Sequence, residues 1–166
     1  MTVLAFNRTP EMAAGTAGPR TRRQVIVVGY DGSRGAQHAL DHAVELLQWR
    51  DGTLEIVYVS HLPVGVTVAP TAIAEVMEGL DDQAAALAGE VRDQLAGRVQ
   101  PWHFQRRDGA IATELLAVAA DLQRQYGGSA DITIVVGGPA HRYHHVVGSV
   151  GANLVRTDRF PVIVVP

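Results

Sequence analysis

Apolar and polar positions change period along the chain, and the changes alternate. Gln24–Gly29 (QVIVVG) is a short continuous apolar run rich in Val and Ile, the pattern of a strand buried on both faces. A helix is predicted to follow the Tyr30-Asp31-Gly32-Ser33 turn and run to about Arg50. Its apolar residues Ala36, Ala39, Leu40, Ala43, Val44 and Leu47 recur at helical spacing, and Asp51-Gly52 stops it. Thr53–Ser60 (TLEIVYVS) reads as a second strand, and His61–Pro70 as a long, mostly apolar loop. A long helix is predicted over about Thr71–Ala96, striped at Ile73, Met77, Leu80, Ala84, Leu87, Val91 and Leu95. Arg98–Arg107 alternates around Trp102 and Phe104 and reads as a third strand. Asp108-Gly109 opens a helix striped at Ile111, Leu115, Val118, Ala119 and Leu122, and Gly127-Gly128 ends it. Ile132–Gly137 (ITIVVG) is a fourth strand, Ser149–Arg156 a short helix, and Phe160–Val165 (FPVIVV) a closing strand.

Five strands strictly alternating with four helices predict an α/β fold: a five-stranded parallel sheet, Rossmann-like, with helices on both faces and right-handed crossovers. Residues 24–166 form this domain in a chain of 166 residues. Residues 1–23 hold four arginines against one glutamate and show no sustained period, so they read as a flexible basic arm.

Composition then removes whole classes of chemistry. Cysteine is absent, so there is no disulfide, thiol nucleophile or thiolate metal site. All fourteen basic residues are arginine, which excludes a Schiff-base lysine and a P-loop. A net charge of −3 gives no case for nucleic acid as a partner. No apolar run reaches the ~18 residues of a membrane span, and residues 1–23 lack the apolar centre of a secretory signal, so a cytoplasmic location is expected.

In an open parallel sheet, ligands bind beyond the carboxyl ends of the strands where strand order reverses. The informative turns therefore follow the first and fourth strands. The first is Gly29-Tyr30-Asp31-Gly32-Ser33. The second is Gly137-Gly138-Pro139-Ala140, leading to Gly148-Ser149 at a helix start, a combination suited to an anion such as phosphate.

With these turns in view, the chain resembles the universal stress protein family over nearly all of residues 24–166. The resemblance rests on five motifs in order: VVGYDGS at Val27–Ser33, IVYVSH at Ile56–His61, IVVGG at Ile134–Gly138, GSV at Gly148–Val150 and FPVIVVP at Phe160–Pro166. It implies a site for ATP or AMP; whether Mg²⁺ accompanies the nucleotide is left open by the sequence. Asp31 beside Gly29 would contact the adenosine part, the backbone near Val59 would meet the adenine, and Gly137, Gly138, Gly148 and Ser149 would hold ribose and phosphates. It also implies a homodimer through Phe160–Pro166, consistent with Pro161 marking an edge strand.

One departure from the family pattern bears on this site. Nucleotide-binding members resemble Gly-x₂-Gly-x₉-Gly-Ser/Thr, whereas here Ala140 takes the place of the second glycine and only seven residues separate it from Gly148. Pro139 also removes an N–H donor. Arg142, with His141, His144 and His145, could supply side-chain donors in place of amides, or could fill the pocket.

Other groups carry simpler readings. His38 and His42 have the spacing of a helical zinc pair, but Ala39 stands where a metalloprotease needs its glutamate, and a solvated face is expected. Ser33 and Ser149 read as helix caps rather than nucleophiles. Trp49 and Trp102 are expected to pack against the domain. No metal site and no catalytic residue is assigned. The expected function is a stress-response regulatory module that binds an adenine nucleotide without rapid turnover, slow ATP hydrolysis being the most it would catalyse. The alternative is a dimeric interaction module of the same fold with an occluded site.

Overall fold

A computed structural model describes residues 3–4, 22–60, 70–98, 100–138 and 149–166. Six strands and four helices run in the order β1 (Val3–Leu4), β2 (Arg23–Gly29), α1 (Arg34–Leu47), β3 (Gly52–Ser60), α2 (Pro70–Gln94), β4 (Trp102–Asp108), α3 (Ile111–Gln125), β5 (Ala130–Gly137), α4 (Ser149–Arg156) and β6 (Val162–Val165). The sheet order is β1-β4-β3-β2-β5-β6. The five expected strands are β2 to β6, and every pairing among them is parallel. Val3–Leu4 adds a sixth, antiparallel strand against Gln105 and Phe104. The remainder of the predicted basic arm up to residue 21 lies outside the described residues, as do residues 61–69 of the predicted loop and residues 139–148.

Val25–Val28 and Ile134–Val136 read as unbroken apolar runs because each face of the sheet has its own core. Ile26, Val28, Leu54, Ile56 and Phe104 pack under α1 and α2. Their neighbours Val25, Val27, Val57, Ile132 and Ile134 point the other way, under α3 and α4. Burial of this two-sided kind is what the Val/Ile pattern encodes.

Several expectations change. Helix α1 stops at Leu47 rather than near Arg50, with Gln48 donating its N–H to Glu45 and Arg50 to Leu47. Trp49 falls on this turn, beyond the buried stripe, and is 88% exposed, whereas Trp102 packs against the core as expected. The apolar stripe of α2 is buried only from Ala84 onward, and Ile73 is 47% exposed. At about 1.5 Å per residue the 25-residue α2 is about 37 Å long, while the seven-residue β4 spans about 23 Å, so the helix overhangs the sheet. Asp108 closes β4 instead of opening α3, and its carboxylate accepts from Ser60 Oγ and Arg106.

Candidate functional site

Strand order reverses between β2 and β5, since the chain builds outward from β2 through β3 to β4 and then returns to β5 and β6. At this reversal β2 is shorter than both neighbours. Its last residue, Gly29, pairs with Val57, while β3 continues to Ser60 and β5 to Gly137. A notch results at the carboxyl end of β2, in the place where ligands bind in open parallel sheets.

The turn after β2 forms the floor. Tyr30 N–H donates to the Val57 carbonyl at 3.0 Å, the last tie before the chain leaves the sheet. Asp31 Oδ1 accepts the Ser33 N–H at 3.0 Å. Gly32 sits at φ 77°, a left-handed conformation that a side chain would strain, and Leu87 of α2 packs against it. Ser33 caps α1, its Oγ accepting the Ala36 N–H at 3.2 Å, as expected of a cap. The Tyr30 phenol is buried and lies 3.5 Å from Gln94 Oε1. Burial, reinforced by the nearby Glu90 carboxylate, raises its pKa, so the phenol stays protonated.

Val57 and Val59 form one wall, and Val136, Gly137 and Gly138 the other. Ile111 and Val150 close the cleft from the first turns of α3 and α4, and Ser33 and Ala36 reach it from α1. The cleft is open on one side and has a volume of about 120 Å³. Each residue of a parallel strand directs its N–H and C=O to one neighbouring strand, and the next residue directs them to the other. The Val57 carbonyl points toward β2, because Tyr30 reaches it. The peptide groups of Val59 therefore point the same way, past the end of β2, where no described residue takes them.

The far wall is a packing device. A Cβ at Gly137 would fall 2.5 Å from the Gly35 carbonyl oxygen, and one at Gly35 would fall 2.7 Å from the Gly138 carbonyl oxygen. The start of α1 thus lies backbone-to-backbone against the end of β5. Gly138 N–H donates to the Val165 carbonyl at 2.6 Å, tying the cleft to β6.

Of the residues singled out in the sequence, Gly29, Asp31, Val59, Gly137 and Gly138 surround this one cleft. Ser149 is the exposed first residue of α4, beside Val150. Arg142 and Gly148 lie outside the described residues. Sequence reasoning missed Gly35, Ile111, Val136 and Val150. A glycine in the first turn of a helix was the one available signal. His38 is exposed on α1, and His42 Nδ1 lies 3.8 Å from Glu45 Oε2. Among the described residues, no three His, Asp or Glu side chains are grouped to hold a metal, and no helix is long and apolar enough to cross a membrane.

A sequence profile described as the universal stress protein family matches residues 22–166. No match is found among curated proteins. Several solved structures share the fold. Universal stress protein UspA from Lactobacillus plantarum superposes with a TM-score of 0.65 at 24% identity, covering 88% of this chain and 99% of that one. A universal stress protein in complex with cAMP gives 0.63 at 23%, covering 88% and 99%. A family member from Arabidopsis thaliana with AMP bound gives 0.55 at 12%, covering 86% and 90%. The profile match spans most of the chain and agrees with the strand order and the cleft at its reversal: the chain belongs to the universal stress protein family.

Proposed function

We propose that the chain is a regulatory module that binds an adenine nucleotide, AMP or ATP, in the notch at the end of β2. The observation that carries this reading is the pair of open peptide groups at Val59, facing a cleft with apolar walls. A purine ring offers flat apolar faces to such walls and adjacent hydrogen-bond donors and acceptors to such an edge. Two relatives of the same fold, one holding cAMP and one holding AMP, support the choice of an adenine ligand. A Mg²⁺ ion carried in with a nucleotide would meet Asp31, one oxygen of which already accepts the Ser33 N–H. The bound state would act by altering what the protein associates with.

The test is equilibrium dialysis with labelled AMP and ATP. Saturable uptake below ~1 mM, weakened in Val59→Pro, which removes one of the two open groups, is the expected result. No uptake at ~1 mM by the intact chain would overturn it, leaving the fold as an interaction scaffold.

A further inference from the structure

We infer that the groove between α3 and the outer face of β4 is a second binding site, which takes a small organic acid: a carboxylate with an apolar body. No described residue lines both this groove and the notch at the end of β2, so the inference stands apart from the adenine reading.

The fold makes the groove. Side chains of β4 alternate between the two faces of the sheet. Phe104 and Arg106 point under α2, where Phe104 joins the core and Arg106 meets Asp81. His103, Gln105 and Arg107 therefore point to the opposite face. On that face α3 packs on β2, β3 and β5, which leaves these three side chains along its flank. Val118, Leu122 and Gln125 line the same flank, followed by Tyr126 at the end of the helix. The space between has a volume of about 310 Å³ and is open to solvent. It falls in the range of clefts that hold small molecules, roughly 300–1,000 Å³.

Charge decides what kind of ligand fits. Glu55 reaches the groove from β3, but its side chain is only 8% exposed, whereas His103, whose Nδ1 lies 2.8 Å from it, is 46% exposed. The pair thus presents its cationic member to the space. The bond to Glu55 commits Nδ1 and leaves Nε2–H as the donor a ligand can use. Arg107 folds back along β4, its Nε donating to Gln105 Oε1 at 3.0 Å. Asp121 of α3 lies 3.6 Å from Arg107 and is shared with Arg124. Arg23 of β2 lies over the Tyr126 ring, 5.9 Å from its centroid. Positive groups therefore outnumber carboxylates around the groove, and a ligand with one negative charge reduces the excess. Its carboxylate would take charge-assisted hydrogen bonds from His103 and Arg107. Its apolar body would lie on Val118, Leu122 and the Tyr126 ring.

The site should follow the protonation of His103. The groups that face the ring are Glu55 from β3, Arg23 from β2, Arg107 on its own strand and Asp121 from α3. The hydrogen bond to Glu55 raises its pKa, opposed by burial and by the charge of Arg23. The imidazolium is therefore held below the raised value and lost as pH rises through it, and the affinity for an anion falls with it.

The experiment is calorimetric titration of the full chain at pH 6 with benzoate, benzamide and benzamidine, which share a shape and are negative, neutral and positive. Benzoate is expected to bind about tenfold tighter than benzamide, and benzamidine weakest. The preference for benzoate should shrink about tenfold between pH 6 and pH 9, while benzamide binding stays level. His103→Gln keeps an N–H donor and should abolish this pH dependence. Arg107→Gln should weaken benzoate about tenfold and leave the pH dependence in place. Equal affinities for benzoate and benzamide, a preference for benzamidine, or no binding of any of the three at ~10 mM would overturn the inference. An unchanged pH profile in His103→Gln would do the same. The series on the parent chain decides the sign of the charge whatever the substitutions do to stability.

Discussion

The carbonyl oxygen of Gly35, in the first turn of α1, occupies the space that a side chain on Gly137 would need: a Cβ there would fall 2.5 Å from it. The three nearest atoms, from Gly35 and Ala36, are all backbone and cannot swing aside. Gly137→Ala is therefore expected to cost about 1–3 kcal/mol, the range for overpacking a filled site. Gly89 in α2 provides the contrast, because a Cβ there meets nothing within 4 Å. Gly89→Ala should stabilise the chain by about 0.5–1 kcal/mol through helix propensity alone. Urea midpoints of the two variants moving in opposite directions would bear out the distinction; a neutral Gly137→Ala would refute the close approach.

Ser33 joins the cleft floor to α1 through one hydrogen bond to Ala36. Removing the hydroxyl leaves an amide at the helix start without its partner. Ser33→Ala should lower stability by about 1 kcal/mol, and Ser33→Asp, which retains an acceptor, should lose much less. Equal losses in both variants would mean that the hydroxyl does not act as a cap.

Glu55 is a carboxylate on a central strand, with its side chain only 8% exposed, and His103 Nδ1 lies 2.8 Å from it. The hydrogen bond that the ring donates to the Glu55 carboxylate raises the His103 pKa, opposed in part by burial of the ring. A folded pKa above the unfolded value of about 6.5 means that the pair's contribution is complete below that pH. It is then lost as pH rises through the raised value. The melting temperature should therefore fall between about pH 6 and pH 9 more steeply in the parent chain than in His103→Gln. Parallel melting curves across that range would rule the linkage out.

Much of the fold could be read in the sequence because β2, β3 and β5 are buried on both faces. Val25–Val28 in β2 and Ile134–Val136 in β5 appear as unbroken apolar runs, and Ile56–Val59 in β3 is apolar throughout. The stripe of α1 was equally plain, since Ala36 to Leu47 all face the sheet. Contacts that join distant segments were not legible. Nothing local ties Gly35 to Gly137, and Glu55 sits inside TLEIVYVS as an isolated polar letter until β4 brings His103 beside it. The exposed Ile73 has the same cause: helical period reports which face is apolar, and the length of the sheet beneath decides how much of that face is covered. At the site, the turn residues Gly29 and Asp31 were visible as turn chemistry. Ile111 and Val150, at the first turns of α3 and α4, were indistinguishable from core.

Strand β6 ends the sheet, and the direction of its peptide groups decides what its outer side can do. Ile134 N–H donates to Pro161 and Gly138 N–H to Val165, so residues 161 and 165 face β5. By alternation, the N–H and C=O groups of Val162 and Val164 face outward. Pro161 lies just ahead of the strand with its carbonyl on the β5 side, so it marks where the strand begins and leaves the outer edge with its donors intact. An apolar edge with free donors is a template for pairing with another strand. On the proposal that β6 pairs with the same strand of a second copy, the chain sediments at twice its 17.7 kDa mass. Val164→Pro removes an outward N–H without touching the bonds to β5. Its circular dichroism should therefore match the parent while its sedimenting mass falls to that of one chain. A parent chain that already sediments as a monomer, or a proline variant that remains a dimer, would show that β6 is not the contact.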